Sequence, residues 1–201
     1  MSGTRLAVGL VLGAALQLDA QVLLTERQAI GKIFPAAQSV VTDSLRPDSA
    51  TRAELERLLG RPLFEPVYPV RRLYGAPRAE GPDPPLLGYA LLTEERGKYR
   101  PITMLIGVDS ARRVAGVEVL VYREPRGGEV ARQHFLRQYR GKSLGDPIRL
   151  NRDIINISGA TISVQSVNAG VRKTLALIDR FYPADVLLPT PRSLVPLEVI
   201  P

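Results

Sequence analysis

The stretch from Asp153 to Asn168, DIINISGATISVQSVN, decides how the rest of the chain is read, because it runs without a break into the strongest helical pattern in the sequence. From Ile162 onward, Val167, Val171, Leu175 and Ile178 recur at steps of four, four and three, which places them on one apolar face of an α-helix. Ser158, Thr161 and Ser163 then fall where that helix starts. The first N–H groups of a helix have no partner within it, so a Ser or Thr oxygen suits that point as a cap. The same N–H groups, with the partial positive charge of the helix end, also suit an anion such as phosphate. Gly159 and Ala160 carry little bulk, which leaves Thr161 open to a phosphate or to a modifying enzyme. The Gly-x-x-x-x-Gly-Lys-[Ser/Thr] spacing of a nucleotide-binding phosphate loop is absent. A capped helix and a phosphate site both remain open on these residues alone.

The run Ser158-Gly159-Ala160-Thr161-Ile162-Ser163, after a short Ile-rich segment and before a long helix, resembles the flavinylation motif of the FMN-binding domain family. That family includes flavoprotein subunits of sodium-translocating NADH:quinone reductases and of related ion-translocating electron-transport complexes. The resemblance implies that Thr161 carries FMN through a phosphoester, installed by a separate magnesium-dependent flavin transferase with FAD as donor. A phosphoester needs a hydroxyl, and a Thr at a helix start sets the new phosphate beside free N–H donors. Where the family often has an acidic residue shortly before the Ser, this chain has Ile155 and Asn156, with Asp153 further upstream.

Other segments extend the likeness to about Leu87–Phe181. Gly107-Val108-Asp109 matches a hairpin of the family and Gly116-Val117-Glu118-Val119 a strand. Tyr122 to Glu129, YREPRGGE, matches a loop that lies against the flavin in the family. Gly97-Lys98-Tyr99-Arg100 stands where the family has a more glycine-rich turn. Within the loop, Glu124, Pro125 and Gly127-Gly128 read first as a turn between a strand and a helix. As a site, the glycines let backbone approach a flat ring, and Arg126 or Lys98 would stand near a phosphate or the electron-rich edge of a flavin.

Ahead of this region, Arg5 precedes an apolar run from Leu6 to Leu16 and then Leu18-Asp19-Ala20, the pattern of a secretory signal peptide. The run is shorter than the roughly 20 residues of a bilayer crossing, and a retained N-terminal anchor is the alternative to cleavage after Ala20. The chain has no cysteine, which excludes disulfides, lipidation at cysteine and thiolate metal sites. An exported chain then relies on its core, and the roughly 180 residues after the leader are ample for one domain. At 45% hydrophobic and 23% charged, the chain has the composition of a folded protein. Its formal charge of +7 is spread among acids with no Lys/Arg run, so no nucleic-acid partner is expected. His134, the single histidine, has no companions for a metal site and reads as a surface or packing residue.

The remaining pattern predicts an α+β fold: an antiparallel sheet packed with helices, forming a single FMN-binding domain with an N-terminal helical extension. Residues 1–20 are read as signal peptide or anchor, 21–66 as the helical N-terminal segment, 67–182 as the FMN-binding domain and 183–201 as a Pro-rich tail. In the N-terminal segment, Gln21–Ser44 reads as helical and then irregular. Thr51 and Glu54 form a capping box for a helix with Leu55, Leu58 and Leu59 buried, stopped by Gly60. Strands are expected at Val67–Tyr74, Leu87–Thr93, Ile102–Val108 and Val114–Tyr122. Gly81 to Pro85 forms an exposed loop, and Asp109–Arg113 connects the last two strands. In the last strand, Ala115, Val117, Val119 and Val121 take one face and Gly116 and Glu118 the other, which suggests a sheet with one buried face. Glu129–Tyr139 reads as a helix with Val130, Phe135 and Leu136 inward, closed by Gly141.

No paired carboxylates, Ser/His/Asp set or zinc motif appears, so an electron carrier is favoured over a stand-alone enzyme. The expected role is an exported flavoprotein with FMN on Thr161, relaying electrons between a membrane-side donor and another membrane or periplasmic redox protein. A flavin-based redox sensor and a cofactor-free exported binding domain are the alternatives.

Overall fold

A computed structural model describes residues 21–77, 83–183, 191 and 193–201. The expected leader at 1–20 and parts of the expected 81–85 loop and C-terminal tail lie outside the described residues. The fold is α+β, as expected. Seven antiparallel strands form one sheet in the order β1-β6-β5-β4-β3-β2-β7: β1 Gln21–Val22, β2 Ser39–Leu45, β3 Tyr68–Tyr74, β4 Leu86–Arg96, β5 Pro101–Asp109, β6 Val114–Tyr122 and β7 Val195–Pro196. Among the described residues, four α-helices accompany it: α1 Glu26–Ile33, α2 Ser49–Leu59, α3 Gln133–Leu136 and α4 Thr161–Phe181. No helix among the described residues is long and apolar enough to cross a membrane.

The central strand β5 is covered on both sides, which corrects the expectation of a single buried face. Ile102, Met104, Ile106 and Val108 join the core beneath α4, whereas Leu105 packs with Ala29, Ile30 and Ile33 of α1. Two glycines make room for α1. A Cβ on Gly107 would stand 2.5 Å from Ile33 Cγ2, and one on Gly116 would stand 3.1 Å from Ile33 Cγ1. These are paired neighbours across β5 and β6, so the glycines of both strand motifs serve the seating of a helix.

Two register shifts in the β5–β6 pair also break the alternation expected for β6. Val117 and Val119 face the α4 core, but Ala115 and Val121 pack on the α1 side. Each shift inserts one unpaired residue, which turns every later side chain to the opposite face.

The N-terminal segment holds the two expected helices and also strands. α1 starts with a capping box between Thr25 and Gln28, and β2 pairs along its whole length with β3. The strands of residues 21–66 thus belong to the same sheet as β3 to β6. In α2 the cap is Asp48, whose carboxylate accepts the Thr51 N–H at 2.7 Å; Thr51 is not the cap. Leu55 is buried as expected, but Leu58 is exposed. Gly60 closes the helix in the left-handed region at φ 68°.

The helix expected at Glu129–Tyr139 is broken into a 3-10 turn at Gly128–Ala131, α3, and a second 3-10 turn at Arg137–Tyr139. Arg132, extended at φ −78° and ψ 139°, makes the break, and it lets Val130, Phe135, Leu136 and Tyr139 all reach the core. Packing here overrides local helical preference. His134 lies on the surface.

α4 carries the core. Val167, Val171, Leu175 and Ile178 are at most 2% exposed, while Ile162, the first residue of the expected stripe, is 43% exposed. Gly170 lets the helix approach the sheet: a Cβ there would meet Met104 Sδ at 2.9 Å and Ile106 Cδ1 at 3.3 Å. On the same helix Lys173, 1% exposed, bridges Glu65 at 2.7 Å and Glu95 at 2.9 Å, and Glu95 also binds Arg61. Buried ions are tolerated only when each has a partner. Lys173→Ala should therefore cost about 3 to 5 kcal/mol in chemical denaturation, and a loss below about 1 kcal/mol would show that the cluster carries little energy.

Candidate functional site

Thr161 is the first residue of α4, and its helix end is bare. Ala160 occupies the cap position, and no side chain caps the helix. The first helical bond is donated by Val164 N–H to the Ala160 carbonyl at 3.0 Å. The N–H groups of Thr161, Ile162 and Ser163 accordingly have no acceptor within the helix. The hydroxyls expected as caps are placed otherwise. Ser158 is exposed, and Ser163 Oγ lies 3.1 Å from the Tyr122 hydroxyl. Thr161 Oγ1 accepts from Asn156 Nδ2 at 3.3 Å. Gly159, at φ 78°, turns the chain into the helix.

The loop after β6 is fitted against this helix end. The Tyr122 hydroxyl donates to the Arg126 carbonyl at 2.7 Å. Burial raises the Tyr122 phenol above its ordinary value despite the hydrogen bond with Ser163, so at neutral pH it remains a donor. Gly127 follows at φ 83°, and a Cβ there would come within 2.8 Å of the Ala160 methyl and 2.9 Å of the Tyr122 oxygen. Glu124 Oε1 accepts from the backbone N–H groups of Tyr99 at 2.7 Å and Arg100 at 3.0 Å, which ties the β4–β5 turn to this loop. From the helix side, Ser166 Oγ donates to the Arg96 carbonyl at 2.6 Å and so fixes the end of β4.

Between these three elements lies a cavity of about 650 Å³. Of the residues singled out in the sequence, Lys98, Glu124, Arg126, Gly159, Ala160, Thr161, Ile162 and Ser163 line it. Ser158 and Gly127 do not; Gly127 packs behind the wall on Ala160. Tyr99 and Pro125 complete the lining and were not selected from sequence. The exposed aromatic ring of Tyr99, set in a polar turn beside Lys98, was the available signal. Asn156 and Tyr122 were also missed, since single polar residues of loops and strand ends carry no pattern.

The electrostatics favour an anion. Lys98 and Arg126 stand at the cavity against one carboxylate, Glu124, which spends an oxygen on two backbone donors. The bare N–H groups of α4 add partial positive charge beside a threonine hydroxyl. The arrangement suits an anionic ligand, set on an antiparallel α+β frame.

Comparison with known proteins names the class. Residues 97–176 match the family described as the FMN-binding domain, and the chain carries such a domain. The matched span includes β5, β6, the cavity loop and most of α4. Among solved structures, NqrC from Shewanella oneidensis is 18% identical, with 66% of this chain and 63% of that chain covered at a TM-score of 0.45. The corresponding subunit of the Na(+)-translocating NADH-quinone reductase from Parabacteroides distasonis is 19% identical, with 75% of this chain and 78% of that chain covered and the same TM-score of 0.45. No curated protein matches the chain.

Gly127→Ala should combine a left-handed backbone penalty with a clash, and lower stability by about 2 to 4 kcal/mol in urea denaturation while displacing the loop from Ala160. Unchanged stability would mean that the contact between loop and helix is not close-packed.

Proposed function

We propose that this chain is an exported electron carrier that holds FMN through a phosphoester on Thr161 Oγ1. The observation that supports it most is the bare first turn of α4, which offers backbone N–H donors beside the only threonine hydroxyl of the cavity. The residues present fit the group. In attachment, the Thr161 oxygen would bond to the flavin-side phosphorus of FAD, the pyrophosphate link would break, AMP would leave and the hydroxyl proton would pass to a base of the flavin transferase. The small residues Gly159 and Ala160 keep the approach to that oxygen open. Afterwards the N–H groups of Thr161, Ile162 and Ser163 can receive phosphate charge.

Bound there, the flavin supplies reversible electron acceptance and donation. The chain contributes position and field. Lys98 and Arg126 line the cavity, and a cation beside a flavin bound there would stabilise the anionic reduced ring and raise its potential. Pro125 and Tyr99 add apolar surface to the cavity, which would suit a planar ring. A carrier of this kind exchanges electrons by proximity, so it needs no acid and base pair in the cavity. Covalent attachment suits a place outside the cytoplasm, where lost cofactor is not replaced, and redox proteins of the membrane or periplasm are the proposed partners.

Co-expression with a flavin transferase, followed by denaturing electrophoresis, tests the linkage. Wild-type protein should fluoresce as a flavin in the gel, Thr161→Ser should retain part of the signal, and Thr161→Ala should fall to background. Undiminished fluorescence of Thr161→Ala would overturn the assignment.

A further inference from the structure

A second cavity, of about 310 Å³, opens further along α4, and it shares no residue with the first. It is walled by α4, the end of α2 and the loop before Asp153. Three guanidinium groups line it, from Arg61, Arg149 and Arg172, and no acidic side chain among the described residues does. Their charges are not equivalent. Arg61 is bound bidentately by Glu95, at 2.7 and 3.0 Å, and within the cluster of Arg61, Lys173, Glu65 and Glu95 the charges cancel. Arg172 is held only by the Pro147 and Leu58 carbonyls, at 3.4 and 3.3 Å, which orient it without neutralising it. The Arg149 side chain makes no ion pair with the described residues. Among the described residues, two positive charges at this cavity, Arg149 and Arg172, are therefore left without an acidic partner.

A buried amide adds a neutral donor. Asn168, 7% exposed, lines the cavity, and its Oδ1 accepts the Tyr139 hydroxyl at 2.7 Å. That bond fixes the amide with oxygen toward Tyr139, so Nδ2, which has no partner among the described residues, is the group available to a ligand. The rest of the lining is Leu59, Ile148, Leu150 and Ala169, which are apolar, and one further amide, Gln165.

The wall that presents Arg149 is held under strain. Ile148 is β-branched yet sits at φ 44°, a conformation kept only where the surroundings enforce it. Asp153 does so. Its carboxylate accepts from Ile148 N–H at 3.0 Å and Arg149 N–H at 2.8 Å, and it is paired with Lys142 at 2.8 Å. Burial pushes the Asp153 carboxyl up, but these donors outweigh it and hold it below its ordinary value. The carboxylate thus stays ionised and its hydrogen bonds intact through the neutral range.

We propose that this cavity is a binding site for a small amphiphilic anion, a phosphate or carboxylate head on a short hydrocarbon body, with Arg149, Arg172 and Asn168 on the head and Leu59 and Leu150 on the body. Charge-assisted hydrogen bonds give such a head its affinity, and the volume limits the body to a short one. The proposal does not rest on the flavin at Thr161.

Titration calorimetry of the full chain with octyl phosphate tests it, with inorganic phosphate, octanol and phosphatidylglycerol vesicles as comparisons. Octyl phosphate should bind saturably at one site, and inorganic phosphate and octanol at least about tenfold more weakly, since each lacks half of the recognised chemistry. Arg149→Gln, a change at an exposed side chain, should weaken octyl phosphate by about tenfold, and Ala169→Phe, which fills the cavity, should abolish binding. Equal binding of inorganic phosphate, insensitivity to both variants, or binding to vesicles without binding to octyl phosphate would each overturn the proposal.

Discussion

The close approach of Gly127 to Ala160 is the contact on which the geometry of the site depends. With Tyr122 it joins the loop after β6 to the start of α4 at van der Waals distance, and any side chain at position 127 would push the two apart. That contact keeps Arg126 and Glu124 on the cavity side of the loop, and through Glu124 it reaches the turn that carries Lys98 and Tyr99. Ser166 ties the same helix to the end of β4. A cavity built from three separate segments is thereby held as one unit, and the oxygen of Thr161 stands at its edge with free N–H groups beside it.

The long helix can hold that position because it is anchored over its whole length. Its apolar face fills the core over β4, β5 and β6, Gly170 lets it approach Met104 closely, and Lys173 fixes it to Glu65 and Glu95 in the interior. The opposite side of the sheet is closed by α1, which enters over Gly107 and Gly116. With both faces covered, the inner strands are packed on both sides, which suits the proposed electron carrier. The same helix also forms one wall of the second cavity, so a single element organises both concave surfaces.

Much of this was legible in the sequence because its signals are local. The i, i+4 spacing of Val167, Val171 and Leu175 gave α4, and runs of branched residues gave β3 to β6. Eight of the ten selected residues line one cavity because SGATIS and the YREPRG loop are contiguous segments whose small and charged residues share a face. What escaped depended on contacts distant in sequence. The role of Gly107 and Gly116 required knowing that α1 crosses them. The two bulges of β6 leave no mark in VAGVEVLVY, where Ala115, Val117, Val119 and Val121 alternate yet divide between two cores. β2 was hidden because SVVTDSL is half polar and lies next to the sheet edge, where beyond β3 it pairs only with the two residues of β7. Thr51 lost the cap to Asp48 because both residues suit it, and only the path of the chain decides.

The central claim concerns one covalent bond, and the tryptic peptide from Asp153 to Arg172 of protein matured with a flavin transferase contains it. Tandem mass spectrometry of that peptide should find the mass of FMN less one water, with fragment ions that place it on Thr161. The same mass on Ser158, Ser163 or Ser166, or an unmodified peptide from protein that is nevertheless yellow, would contradict the account.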